Sequence, residues 1–227
     1  MQNSKKWLLP FRHGVPLSDD QRPETREEEN MMRQVPYTST VGSFMYAMLC
    51  TRLDICYSVG MVSWYQSNLG PKHWQTVKNI LKYLRRTKDY MLVYRCEDLI
   101  PIGYTDSDFQ SDLDFKKSTL GCVFTLGGGA ISWESVKQFC IVDSTMEAEY
   151  VAAYEAPKEA VWLKKFLSDL GVMRMKQVLI TLFCDNSGAV AQSKDPRNHK
   201  KGKHFERKVP HHSRHCCLRR CSSSKDR

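Results

Sequence analysis

Three carboxylates stand where apolar runs end or a helical pattern begins. They are Asp106 in Gly103-Tyr-Thr-Asp-Ser-Asp-Phe109, Glu149 in Ser144-Thr-Met-Glu-Ala-Glu-Tyr150, and Asp185 in Leu182-Phe-Cys-Asp-Asn-Ser187. Acids at strand ends and on an adjacent helix converge when the helix packs on the sheet. Converging carboxylates repel unless cations join them, which points to a divalent-metal site. Two such ions about 4 Å apart are the usual apparatus for in-line phosphodiester chemistry. Singly, each acid has an ordinary explanation. Asp106, followed by Asp108, Asp112 and Asp114, reads as a turn residue. Asp185 reads equally as the N-cap of the helix after it. Glu147 and Glu149 project about 200° apart on a helix and cannot both face a sheet. Glu149 shares a face with Met146 and Ala152, expected to be packed, and Glu147 falls toward solvent.

The elements that must position these acids are legible in outline. Apolar runs predict strands over 100–105, 120–126, 130–133, 138–142 and 178–184, with Gly127-Gly-Gly129 as a hairpin turn. A helix is expected from Thr145, capped by Ser144 or Thr145, toward Leu170, with Gly171 as its stop. Pro157 interrupts that pattern, so either the helix kinks or a second helix starts there. A short helix is expected over 187–193. The order predicts an α/β class: a mixed sheet flanked by helices.

The first half is different. Residues 1–36 read as a polar linker or weak helix. Helical periodicity follows in three segments. The first carries Val41, Phe44, Met45, Met48 and Leu49. The second starts with Asp54 as cap and is stopped by Gly70-Pro71. The third covers 73–87 with Trp74, Val77, Leu81 and Leu84 as its stripe. Lys72, Lys78, Lys82, Arg85 and Arg86 fill the other face of the third helix. Solvation explains such a face as well as phosphate contact along a duplex does.

The net charge of +9 is mostly a property of the last 29 residues, which hold ten Lys/Arg against two acids. No apolar run approaches the ~20 residues that span a bilayer, so no membrane partner is expected. Cys50, Cys56, Cys122, Cys140 and Cys184 lie in apolar runs and read as buried thiols of a reducing compartment. Residues 209–227 offer little to a core and read as a disordered, aberrant basic tail. Their His and Cys residues are adjacent rather than spaced as zinc-ligand pairs.

Seven stretches occur in order. They are Gly103-Tyr-Thr-Asp-Ser-Asp108, Lys117-Ser-Thr-Leu-Gly121, Gly127-Gly-Gly-Ala-Ile-Ser-Trp133, Ser144-Thr-Met-Glu-Ala-Glu-Tyr150, Glu159-Ala-Val-Trp-Leu163, Cys184-Asp-Asn-Ser187 and Lys203-His204. Together they resemble the ribonuclease H domain of copia-type (Pseudoviridae) retrotransposon Pol polyproteins. Upstream, Tyr37-Thr-Ser-Thr-Val-Gly-Ser-Phe-Met-Tyr46, Thr51-Arg-Leu-Asp-Ile-Cys-Tyr57 and His73-Trp74 with Lys82-Tyr-Leu84 resemble the end of the reverse transcriptase region.

The resemblance implies four parts: linker 1–36, a helical thumb- or connection-like segment 37–95, a ribonuclease H-like domain 99–208, and the tail 209–227. It implies cleavage of the RNA strand of an RNA–DNA hybrid with two Mg²⁺ ions, Mn²⁺ being an alternative. Asp106, Glu149 and Asp185 fall on the family's metal-binding catalytic acids. Glu206 falls on a fourth position, where relatives often carry Asp. The reverse transcriptase domain of a parent polyprotein is the implied protein partner, and the setting is cytoplasmic or nuclear. The polymerase's aromatic-x-Asp-Asp motif does not occur, so DNA synthesis is not expected. The rival expectation is an inactive or domesticated remnant that at most binds nucleic acid.

Overall fold

A computed structural model of the chain describes residues 9–11, 17–95, 99–171, 179–194 and 216–220. It forms two compact units, Met1–Leu92 with Asp112–Lys116, and Val93–Ser111 with Lys117–Arg227. Among the described residues, no helix is long and apolar enough to cross a membrane.

The first unit is helical: α1 (Arg26–Arg33), α2 (Tyr37–Cys50), α3 (Cys56–Ser63) and α4 (Pro71–Arg86). Tyr37, Val41 and Phe44 of α2 are buried, and Met45 and Met48 flank them, but Leu49 is exposed. Asp54 does not cap the next helix. Its carboxylate takes Arg52 Nε at 2.9 Å, Arg52 Nη2 at 2.7 Å and the Tyr83 hydroxyl at 2.7 Å. The chain therefore passes through a 3-10 turn, Leu53–Ile55, and α3 begins without a side-chain cap.

In α4 the buried stripe is His73, Val77, Ile80 and Tyr83, with the expected Trp74, Leu81 and Leu84 half-buried beside it. The stripe shifts because His73 is fully used. Its Nδ1 accepts the Gly70 N–H at 2.9 Å, so Nε2 carries the proton and donates to the Ser18 carbonyl at 3.2 Å. Its ring also stacks on Tyr65 at 4.3 Å. The expected linker 1–36 is thus partly packed. Leu17 is buried, the Tyr65 hydroxyl donates to its carbonyl, and α1 carries the buried Met32.

The second unit is built on a five-stranded mixed sheet in the order β3-β2-β1-β4-β5. The strands are β1 (Ile102–Asp108), β2 (Thr119–Leu126), β3 (Gly129–Lys137), β4 (Ile180–Cys184) and β5 (Cys216–Arg220). Two helices flank it, α5 (Thr145–Asp169) and α6 (Ser187–Lys194), giving the α/β class expected. β1 and β3 pair antiparallel with β2, whereas β4 pairs parallel with β1 and with β5. Gly127 and Gly128, with φ of 56° and 79°, make the two-residue turn between β2 and β3.

α5 lays Ala156, Ala160, Leu163 and Leu167 against Phe124, Ile180 and Leu182. Alanines let the helix approach the sheet closely. On β1 the matching concession is Gly103, where an added Cβ would lie 2.6 Å from Phe124 and 2.7 Å from Leu182. α5 runs through Pro157 as one helix, so no separate helix starts there. Ser144 caps it by accepting the Glu147 N–H at 3.1 Å, and Gly171 follows it at φ 68°.

Several expectations are corrected. Residues 138–142 are not a strand: Val142 packs on Ala148 and Val151, but Phe139 and Ile141 are exposed and no strand among the described residues offers them a ladder. Cys216–Arg220, expected to be disordered, form β5, because edge pairing in parallel with β4 needs backbone groups and only one apolar anchor, Leu218. The rest of 209–227 lies outside the described residues. Residues 93–95, expected with the helical segment, belong to the second unit, where Arg95 N–H donates to the Gly127 carbonyl and the Tyr94 hydroxyl to that of Ala130. Cys56, Cys122 and Cys184 are buried and Cys140 is half-buried, but Cys50 is exposed at the end of α2.

Candidate metal centre

The register of the sheet sets the first two acids. The parallel ladder between β1 and β4 runs from Ile102 opposite Thr181 to Thr105 opposite Cys184. Asp106 and Asp185 are each the first residue beyond that last pair. β1 itself continues to Asp108 because its antiparallel ladder with β2 does, so Asp106 lies within a strand rather than in a turn. Asp185 is not the cap of α6: Asn186 Oδ1 accepts the Ala189 N–H at 3.0 Å and the Asn186 carbonyl that of Val190. That leaves the Asp185 carboxylate exposed at the mouth of the cluster.

The helix supplies the third acid. Glu149 is 6% exposed, and its Oε1 accepts the Ser107 backbone N–H at 3.0 Å. The same N–H donates to Asp106 Oδ1 at 2.9 Å. Glu147 turns away and closes the helix start, its Oε2 accepting the Asp143 N–H at 3.1 Å. Met146, expected on the packed face, is exposed.

Glu149 behaves as an acid among acids. Burial first, then the charges of Asp106 and Asp185, push its pKa up to about 7, and the Ser107 hydrogen bond only partly offsets them. One member of the cluster was not foreseen as such. The buried Cys184 thiol lies 3.8 Å from Glu149 Oε2, and donor atoms of Glu149, Cys184 and Asp185 all fall within 4.8 Å of one another. Its sequence signal was only its place directly before Asp185. Burial pushes the Cys184 thiol up to about 11, so it is a neutral neighbour and a weak donor to Glu149.

This donor set fits a hard divalent cation. Glu149 feels the charges of both Asp106 and Asp185, a repulsion that a bound cation relieves, although Asp106 is not among the donor atoms that lie within 4.8 Å of one another. Hard cations take oxygen ligands, which leaves the soft Cys184 sulfur aside. Glu206 and the Lys203-His204 pair lie outside the described residues. Lys72, Lys78, Lys82, Arg85 and Arg86 belong to the first unit, on α4. Lys72, Arg85 and Arg86 are exposed, and Lys78 and Lys82 are half-buried.

No family model matches the chain. It is 46% identical over 206 residues to the retrovirus-related Pol polyprotein from transposon TNT 1-94 of Nicotiana tabacum, an alignment covering 91% of this chain and 15% of that polyprotein. With the Pol polyprotein from transposon RE2 of Arabidopsis thaliana it is 34% identical over 170 residues, 74% of this chain and 12% of the relative. It is also 44% identical over 133 residues to secreted RxLR effector protein 161 of Plasmopara viticola, 58% of this chain and 94% of that protein. Among solved structures, LC11-RNase H1 isolated from compost is 22% identical, the match covering 46% of this chain and 72% of that one at a TM-score of 0.32. The chain thus spans about one-seventh of the tobacco polyprotein's length. It belongs to the family of retrovirus-related Pol polyproteins of copia-type retrotransposons.

Proposed function

We propose that this chain hydrolyses the RNA strand of RNA–DNA hybrids, with two Mg²⁺ ions held by Asp106, Glu149 and Asp185. The observation that carries the reading is the meeting of these three carboxylates at one end of the sheet, with Glu149 buried between the charges of the other two. When bound, the divalent ions supply Lewis-acid polarisation for an in-line displacement at phosphorus, and Mn²⁺ serves as an alternative. The chain's own residues hold and orient. The Ser107 N–H donates to both Asp106 and Glu149, and Asp106 and Asp185 each follow the last pair of the β1–β4 ladder. The role of fourth ligand is assigned to Glu206 from its place two residues after Lys203-His204 in the sequence alone.

The hybrid is recognised through backbone and 2′-hydroxyl rather than base sequence, with Lys72, Lys78, Lys82, Arg85 and Arg86 supplying phosphate contacts from α4. The parent polyprotein's reverse transcriptase domain supplies the hybrid, in the cytoplasm or the nucleus. A second reading, a remnant that binds nucleic acid without cutting it, is favoured by Glu206 standing where relatives often carry Asp.

One assay separates the two. A labelled RNA–DNA hybrid is incubated with the full chain and Mg²⁺, beside Asp106→Asn. Cleavage well above that of the variant is expected. Equal, background-level cleavage with hybrid binding retained would leave the remnant.

A further inference from the structure

Gln138 lies just past β3, in a stretch whose apolar neighbours suggested a strand, and it is 4% exposed. Its backbone N–H donates to the Ser118 carbonyl at 2.8 Å, which fixes where its side chain starts. The side-chain amide then bridges two elements. Nε2 donates to the Ala148 carbonyl of α5 at 2.9 Å and to the Ser107 hydroxyl of β1 at 3.3 Å. Ala148 directly precedes Glu149, and Ser107 directly follows Asp106. The Ser107 N–H in turn holds Glu149 Oε1 and Asp106 Oδ1. One buried amide therefore reaches from the residue beside one acid to the residue beside the other.

The orientation of this amide is dictated. Turning it over would set Oε1 against the Ala148 carbonyl, two acceptors facing each other. As placed, Oε1 is buried and finds no donor among the described residues. A buried acceptor left without a donor is destabilising. An apolar side chain of similar size would fill the same space without that cost. What the amide adds is its pair of donor contacts, and these act on the spacing between β1 and the start of α5.

We propose that Gln138 is a positioning residue for the metal centre: its amide clamps the start of α5 to β1 and so sets the separation of the Asp106 and Glu149 carboxylates. The inference rests on the hydrolase reading above. Residues that orient metal ligands from behind typically change metal affinity by about 10–100-fold when removed. The clamp spans two ligand-bearing elements, so its loss loosens the cation site while leaving the three carboxylates in place.

The test uses the full chain as wild type, Gln138→Leu and Ser107→Ala. Ser107→Ala removes the hydroxyl partner of Gln138 but keeps the backbone N–H that holds the acids, so it reports even where Gln138→Leu fails to fold. Two readouts are taken against Mg²⁺ concentration: the thermal unfolding midpoint, which rises as a ligand binds the folded state, and the rate of hybrid cleavage. For Gln138→Leu the Mg²⁺ concentration giving half-maximal effect rises about 10-fold or more in both readouts, and the cleavage rate recovers at saturating Mg²⁺. Ser107→Ala shifts it in the same direction by a smaller factor. A lowered unfolding midpoint without Mg²⁺, accompanied by Mg²⁺ dependences within about twofold of wild type, assigns Gln138 a purely structural role and overturns the proposal. Absence of any Mg²⁺ response in the wild-type chain overturns the hydrolase reading, and this inference with it.

Discussion

Glu149 and Asp106 share one backbone hydrogen: the Ser107 N–H donates to Glu149 Oε1 at 3.0 Å and to Asp106 Oδ1 at 2.9 Å. A bifurcated donor is a weak partner for two carboxylates, and with Asp185 adding its charge, Glu149 is left with a pKa of about 7. That sets a sign for stability. A folded-state pKa above the usual 4.5 means the folded chain binds the proton more tightly. The stabilisation is complete below pH 4.5 and is lost as pH rises through 7.

The metal-free chain is accordingly expected to lose stability between pH 4.5 and 7.5, by at most about 3 kcal/mol. Glu149→Gln flattens that loss, and millimolar Mg²⁺ reverses it in the wild type. Urea unfolding across this range, with and without Mg²⁺, is the measurement. A wild-type profile as flat as that of Glu149→Gln contradicts the assignment.

Gly103→Ala puts a methyl group within 3 Å of both Phe124 and Leu182, neither of which is exposed to solvent. Overpacking of this kind costs about 1–3 kcal/mol. The strand displaced is the one that carries Asp106, so cleavage falls as well as the unfolding midpoint. Unchanged stability would show that the Phe124 and Leu182 side chains give way more easily than their packing implies.

In the helical unit, Asp54 is penalised by burial but held below the usual carboxylate range by hydrogen bonds from Arg52 and Tyr83. Asp54→Ala takes the acceptor from the Tyr83 hydroxyl and two contacts from Arg52, whose side chain is only 13% exposed and keeps its donations to Thr87. The expected loss is about 1–3 kcal/mol, read as a lower urea midpoint. The contribution is present above pH 3.8 and disappears as pH falls below it, so the gap between wild type and variant closes in acid.

The basic face of α4 makes a prediction that separates phosphate contact from mere solvation. Replacing the exposed Lys72 and Arg86 with Glu weakens hybrid binding uniformly across sequences. It also makes the dependence of affinity on salt shallower, by about one unit of log–log slope for each phosphate that is no longer neutralised. Affinity and slope equal to wild type would leave solvation as the role of that face.

Each of the three acids has a legible local setting, the end of an apolar run or the start of a capped helical pattern, but their joint role was legible only through the resemblance carried by the motifs around them. The choice of Glu149 over Glu147 drew on helical phase and on the resemblance, which sets Glu149 on the family's catalytic acid; the phase argument held only in part, since Met146 is exposed. What no local pattern carried was pairing. That Asp106 and Asp185 stand side by side depends on Thr105 facing Cys184, a relation between residues 79 positions apart. Gln138 is silent for the same reason. It follows a strand in sequence, but its meaning lies in reaching Ala148 and Ser107. β5 went unseen because Cys216–Arg220 hold two arginines and one aliphatic residue, whereas a parallel edge strand is recruited mainly through its backbone. Asn186, rather than its acidic neighbour, caps α6, and only hydrogen-bond geometry distinguishes the two.

Two helices begin at the acid cluster. Glu149 sits in the second turn of α5, and Asp185 comes one residue before the Asn186 cap of α6. The amino end of a helix carries roughly half a positive charge, concentrated in its first turn. The peptide dipoles of α5 and α6 therefore neutralise part of the cluster's negative field with charge that cannot diffuse away. Under the proposed hydrolase reading, fixed charge of this kind lessens what any bound cation must neutralise.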